Sequence, residues 1–209
     1  MIHCSDLLAE KYPGLTAAMW QATFLGESVG DLPSLMAIAS ENTEAQRRAT
    51  NMTAFFRELG AKGRSPVEFQ IEKAQDGTLA YSRRNILVDY LLYTEVWSGF
   101  LIGFHDREAL GENLVYGLAK EADAPSFEHI SRKTVTMRPD EPALIANGRI
   151  VASLRHGPDF ATRVHDKTTS LWGVLFAAPS DRRDTVERVM AMICDDGVTR
   201  GVWSLGTVG

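Results

Sequence analysis

The chain is poor in the features that mark several functional classes. Its 209 residues hold only two cysteines, Cys4 and Cys194, near opposite ends. Secreted disulfide scaffolds carry far more, and thiolate metal sites show close pairs, so two reduced thiols in a cytoplasmic protein are expected. No apolar run approaches the roughly 18–20 residues of a membrane span. Residues 1–11 lack a basic region followed by an apolar core, so neither a secretory leader nor a membrane partner is expected. Positive charge is in deficit, with 22 Lys and Arg against 27 Asp and Glu and a net charge of −5. That balance disfavours strong non-specific binding to nucleic acid but permits a local basic patch. None of the five histidines stands in H-E-x-x-H spacing, and no metal is expected. G-x-S-x-G, G-x-x-x-x-G-K-[ST] and G-x-G-x-x-G are all missing, which removes the serine elbow and the commonest nucleotide cradles. No cofactor is expected, and the oligomeric state is not readable from the sequence.

The composition is that of an ordinary globular protein, 44% hydrophobic and 23% charged. Ser5 is placed to cap a short helix through Lys11, and residues 15–25 read as a strand. Asp31 and Pro33 suggest a helix start, and residues 33–59 read as helical with a break near Asn42. Ser65-Pro66-Val67-Glu68 has the pattern of a capping box, in which Glu68 reaches back to the cap amide. The most apolar segment, residues 84–98, has apolar residues at nearly every helical position and predicts a helix buried between layers. From residue 100 onward the period changes to that of strands: 100–104, 114–119, 134–137, 143–146, 150–154 and 171–178. Asn147-Gly148 signals a hairpin between two of them. Ser180 is read as the cap of a last helix, and a strand near Val202-Trp203 as the end. Both cysteines are expected on apolar helix faces. Helices first and strands later predict an α+β fold. One domain over residues 1–209 is expected, with an N-terminal helical subdomain over 1–80 as the alternative partition.

Candidate chemistry lies at the predicted strand ends, where side chains point into clefts. His105-Asp106, Arg155-His156 and His165-Asp166 all flank strands. The loop Gly60-Ala61-Lys62-Gly63-Arg64 precedes a helix N-terminus and is a candidate phosphate contact; its alternative is a solvated inter-helix loop. Arg83-Arg84 forms a second small basic spot.

The order of these pieces resembles the editing domain, the third and fourth modules, of the phenylalanyl-tRNA synthetase β subunit and its free-standing relatives. The likeness rests on AFFRELGAKGRSPVEFQIEKAQDG, on RNILVDYLLYTEVWSGFLIGFHD with Asn85, Val88, Asp89, Gly103 and Asp106, and on TRVHDKTTSLWGVLFAAPSD. The pattern departs in having Gly103 where the synthetase usually bears a His, and in lacking an acidic residue in the last core strand. The resemblance implies a mixed, sandwich-like β-sheet flanked by helices. It implies an RNA-binding hydrolase that deacylates mischarged aminoacyl-tRNA, or a module that binds an aminoacyl group. The alternative is a small-molecule hydrolase or transferase acting on amino-acid-like substrates. On the ester-hydrolase reading His105, His156 and His165 are the catalytic candidates. Asn85, Asp89, Gly103, Arg155, Arg163 and Thr168 are the candidates for binding a tRNA acceptor end or a small amino-acid-like ligand.

Overall fold

The computed structural model of the chain describes residues 2–24, 32–111, 113–194, 199–205 and 207–208. The first half supplies β1 (Ile2–Cys4), α1 (Asp6–Lys11), β2 (Thr16–Phe24), α2 (Leu35–Glu41), α3 (Thr43–Glu58), α4 (Pro66–Gln75) and α5 (Ile86–Ser98). Then come β3 (Leu101–Asp106), α6 (Arg107–Leu110), β4 (Leu114–Leu118), a 3₁₀ turn at Ala119–Glu121, β5 (Ser126–Glu128) and β6 (Thr134–Thr136). The last part is β7 (Pro142–Ala146), β8 (Arg149–Ser153), β9 (Gly157–Pro158), β10 (Ser170–Ala177), α7 (Arg183–Cys194), β11 (Thr199–Leu205) and β12 (Thr207–Val208). The fold is α+β with mixed sheets. Among the described residues no helix is long and apolar enough to cross a membrane.

Local chemistry explains most helix boundaries. Ser5 Oγ accepts the Leu8 amide, as its position implies. Asn42 breaks one helix and starts the next: its Oδ1 accepts from Ala45 N, and its Nδ2 donates to Trp97 O at 2.7 Å, which ties α3 to the end of α5. The capping box at α4 is only half formed. Ser65 Oγ accepts from Glu68 N, but the Ser65 amide donates to Thr53 Oγ1 at 2.8 Å. Thr53 in turn donates to Glu68 Oε2 at 2.6 Å, so Glu68 reaches the cap through α3 and not directly. α5 begins at Ile86 because Asn85 takes the cap, accepting from Leu87 N and Val88 N. It ends at Gly99, which has a φ of 72°. A side chain there would run into the carbonyl of Ala45, so α3 and α5 meet at bare backbone.

Two expectations need correction. Cys4 is buried on strand β1, not on a helix. The last helix starts at Arg183, not Ser180, because the chain makes one more turn in which Asp181 accepts the Ala178 amide. The helix start expected at Asp31 lies outside the described residues. The Asn147-Gly148 hairpin joins β7 to β8 with φ of 49° and 76°, the all-positive geometry that such a dipeptide adopts.

The strands form two main sheets. One runs β12-β1-β4-β7-β8-β9, with β1 parallel to both neighbours. The other, β11-β2-β10-β3, is antiparallel throughout. Alternation along each strand sends side chains to opposite faces. Ala17 and Met19 of β2 and Trp172, Val174 and Phe176 of β10 share one core with Tyr116, Leu144 and Val151 of the other sheet. The opposite set, Trp20, Ile102, Phe104 and Leu175, packs under Leu87 and Tyr90 of α5 and Val186 and Met190 of α7. Val96 of α5 belongs to a third cluster with α2, α3 and α4. The expected all-round apolar helix therefore lies between the four-stranded sheet and a helical layer. Residues 1–80 contribute a strand to each of these two sheets as well as helices.

Gly173, in the centre of β10, pairs with Trp20, and the indole lies where a Cβ of residue 173 would be. Gly173→Ala is expected to lose about 1–3 kcal/mol through overpacking. Urea unfolding checks this, and adding Trp20→Phe is expected to recover part of the loss.

Candidate active site

β3 carries the site because its alternation divides two environments. Ile102 and Phe104 face α5, whereas Leu101, Gly103 and His105 face the other sheet. Between β3 and the β8–β9 region lies a cavity of about 250 Å³, lined by Gly103, His105, Arg155, His156, Glu95, Ser153 and the apolar Leu101, Leu154, Pro158 and Phe176. A Cβ at Gly103 would lie 3.5 Å from His105 Nε2 and 3.9 Å from the Phe176 ring. Glycine at this position thus keeps the space beside the imidazole open.

His105 is completely buried. Its Nδ1 is 2.7 Å from Thr162 Oγ1, and the Thr162 hydroxyl donates to Asp159. Its Nε2 is buried and has no hydrogen-bond partner among the described residues. Burial lowers the imidazole pKa to about 4, so the ring is neutral at ordinary pH. Glu95, from the third turn of α5, enters the same cavity. Its Oε1 accepts the Ile102 amide at 3.0 Å. Burial pushes its carboxyl up to about 7, against the opposing pull of Ile102 and Gln70.

Arg155 and His156 reach the cavity from the turn after β8, both engaged with Glu141. Arg155 Nη1 makes an ion pair with the buried Glu141, and Arg138 Nε joins at 2.9 Å. His156 Nε2 stands 3.8 Å from Glu141 Oε2. Its pKa is lowered, by burial foremost and by Arg155, His129 and Arg138, which together outweigh the attraction of Glu141.

The remaining candidates lie elsewhere. Asn85, Asp89, His165 and Thr168, with Arg83 and Arg84, line a second cavity of about 600 Å³ at the start of α5. Their polar atoms are largely engaged. Asp89 accepts from Ser82 N, Ser82 Oγ and Arg83 N, holding the loop before the helix. Thr168 Oγ1 donates to Asp106 Oδ2 at 2.6 Å, and His165 Nε2 lies 3.5 Å from the same oxygen. Arg163 lines neither cavity. Its guanidinium stacks on Phe160, 3.4 Å from the ring centroid, with Arg132 at 3.2 Å from the same centroid. The Gly60–Arg64 loop pairs Arg64 with Glu72 of α4.

Glu95, Thr162 and Asp159 were not singled out from the sequence. A signal existed for Glu95, since a carboxylate in an otherwise apolar helix has to be buried or paired. Asp159 and Thr162 sit in a turn without periodicity. Among the described residues no group of three or more His, Cys, Asp or Glu side chains is placed to hold a metal ion.

Fold and cavity together define an α+β protein with a histidine-bearing cleft between two sheets. No protein-family model matches the chain, and no curated protein matches it. Among solved structures it is similar to the crystal structure of an N-terminal fragment of the phenylalanyl-tRNA synthetase β-subunit from Pyrococcus horikoshii, with 12% identity and a TM-score of 0.49. That likeness covers all of this chain and 50% of the fragment, so the chain spans about half its length. A likeness of that degree leaves function to the site itself.

Glu95 and His105 are expected to act oppositely on stability. Glu95 binds its proton more tightly folded than unfolded, so its contribution is lost as pH rises from its ordinary 4.5 through about 7. His105 does the reverse, and its contribution is lost as pH falls from 6.5 through about 4. Glu95→Gln is therefore expected to gain up to about 3 kcal/mol at about pH 8 and nothing at about pH 4.5. Denaturant titrations at the two pH values check this.

Proposed function

We propose that the protein hydrolyses an ester whose acyl part is the size of an amino acid, with water as the nucleophile and His105 as general base. The observation that carries this reading is Nε2 of His105, a buried nitrogen without a hydrogen-bond partner among the described residues, on a ring that borders the 250 Å³ cavity. An unpaired buried polar atom costs about 1–3 kcal/mol, and a water or substrate atom at this place offsets that cost. Pockets for drug-sized ligands run to roughly 300–1,000 Å³, so a space of this size suits a group as small as an aminoacyl group. Leu101, Leu154, Pro158 and Phe176 offer it an apolar wall.

Ser153 is the one hydroxyl among the cavity-lining residues, and its Oγ accepts from the Arg155 amide, with no histidine hydrogen-bonded to it. Water is the simpler nucleophile. His105 Nε2 takes a proton from water as the oxygen attacks the ester carbonyl, then returns it to the departing alcohol. Glu95, protonated below about 7, supplies a donor for the charge developing on the carbonyl oxygen. An aminoacyl ester is already activated, so positioning and proton transfer suffice.

The resemblance to the synthetase editing domain suggests a mischarged tRNA as the ester and the tRNA hydroxyl as the departing alcohol, with Arg155 nearest the acceptor end. A second reading, hydrolysis of a small amino-acid-like ester, is favoured by charge: Glu141 pairs with both Arg138 and Arg155 and offsets one of their two charges beside the cavity, and the chain carries a net charge of −5.

Incubation with a panel of aminoacyl-tRNAs and with methyl esters of the same amino acids tests both readings. Loss of the tRNA-linked ester alone supports the first, and loss of both supports the second. Absence of turnover with every substrate overturns ester hydrolysis and leaves a binding module. His105→Gln is expected to lower kcat about 10²–10⁴-fold. Gly103→Val is expected to abolish turnover by filling the cavity. The profile of kcat/KM against pH is expected to be bell-shaped, with limbs at about 4 from His105 and about 7 from Glu95.

A further inference from the structure

We infer that Thr162 and Asp159 are positioning residues that fix the tautomer of His105, placing its proton on Nδ1 and leaving the lone pair of Nε2 directed at the cavity. The inference rests on the proposed role of His105 as base and specifies what makes the ring competent for it.

All three residues are buried, at 0%, 4% and 2% exposure for His105, Thr162 and Asp159. The Thr162 hydroxyl donates its single proton to Asp159 Oδ1, and the Thr162 amide donates to the same oxygen at 3.1 Å. With that proton committed, the hydroxyl oxygen can only accept from Nδ1 at 2.7 Å. A neutral imidazole carries one N–H, so Nε2 is the bare nitrogen. The other tautomer would set two lone pairs against each other at hydrogen-bond distance in a buried place.

The backbone holds this relay rigidly across the seam between the sheets. Asp159 N donates to Val151 O on β8, at 2.8 Å. Asp106 N donates to Thr162 O at 2.7 Å, and Arg163 pairs with His105 in an isolated antiparallel bridge. The segment thus joins β8 of one sheet to β3 of the other, and its side chains meet behind the imidazole. A turn requiring only local order would be served by the Thr162 amide alone. The hydroxyl adds the link to Nδ1.

Long-range ¹H–¹⁵N correlation spectra of ¹⁵N-histidine-labelled protein read the tautomer directly, without any substrate. The intact protein is expected to show His105 protonated at Nδ1 and bare at Nε2. Thr162→Val is expected to release that preference and to lower kcat at least ~10-fold, with KM little changed, and Thr162→Ser is expected to restore both. Asp159→Ala removes the oxygen that accepts the hydroxyl proton, frees that proton for Nδ1, and is expected to release the preference for the Nδ1-protonated ring. It stands as the second variant should Thr162→Val fail to fold. An Nε2-protonated ring in the intact protein overturns the inference, as does an unchanged tautomer in Thr162→Val or, in its place, Asp159→Ala. Turnover of no ester, with the expected spectra, defeats the proposed hydrolysis and leaves the tautomer assignment standing.

Discussion

The structure depends on the burial of one face of β10 and β2 against the larger sheet. Trp172, Val174, Phe176 and Met19 meet Tyr116, Leu144 and Val151 there, and every one of them is almost completely removed from water. At about 25 cal/mol per Å² of apolar surface, such residues outweigh the polar groups they enclose. The cavity lies at the edge of this contact, where β3 presents Gly103 in place of a side chain that would complete the packing. The hollow is therefore a local interruption of a core that is otherwise closed.

That setting accounts for the behaviour of the polar groups. A histidine and a glutamate removed from water both resist charge, so His105 loses basicity and Glu95 loses acidity. Their ordinary order is inverted: the carboxyl keeps its proton at a pH where the imidazole has none. Arg155 and His156 are governed differently. Glu141, itself buried, gathers Arg138, Arg155 and His156 around one carboxylate. The site therefore has a neutral inner end and an ion-paired rim.

The helical half of the fold could be read from short-range chemistry. Ser5, Asn42, Asn85 and Gly99 each cap a helix through bonds within four residues of their own position, and α5 announced its burial by apolar residues on every side. β1, β5 and β9 have two or three residues each, too few to show a period, and were missed. Glu68 was misread because its partner, Thr53, comes from another helix. The same distinction runs through the site. Histidines flanking strands were visible, but which of them share a hollow depends on pairing between strands far apart in sequence. His105 and His156 line one cavity because β3 and β8 edge it, whereas His165 and Thr168 fall on the far side of β3 with Asp106. Arg163 is drawn away to the Phe160 ring, a contact that no spacing rule would reveal.

The order β11-β2-β10-β3 has a consequence for how the molecule assembles. β2 spans residues 16–24, and both of its neighbours begin at or after Ser170. An early strand with Ala17, Ala18, Met19, Trp20 and Ala22 all destined for the interior thus waits for partners about 150 residues downstream. Closing so long a loop before any reward is entropically slow. High contact order makes acquisition of the native state a late, concerted event, and in the interval β2 is the segment most in need of shielding from other chains.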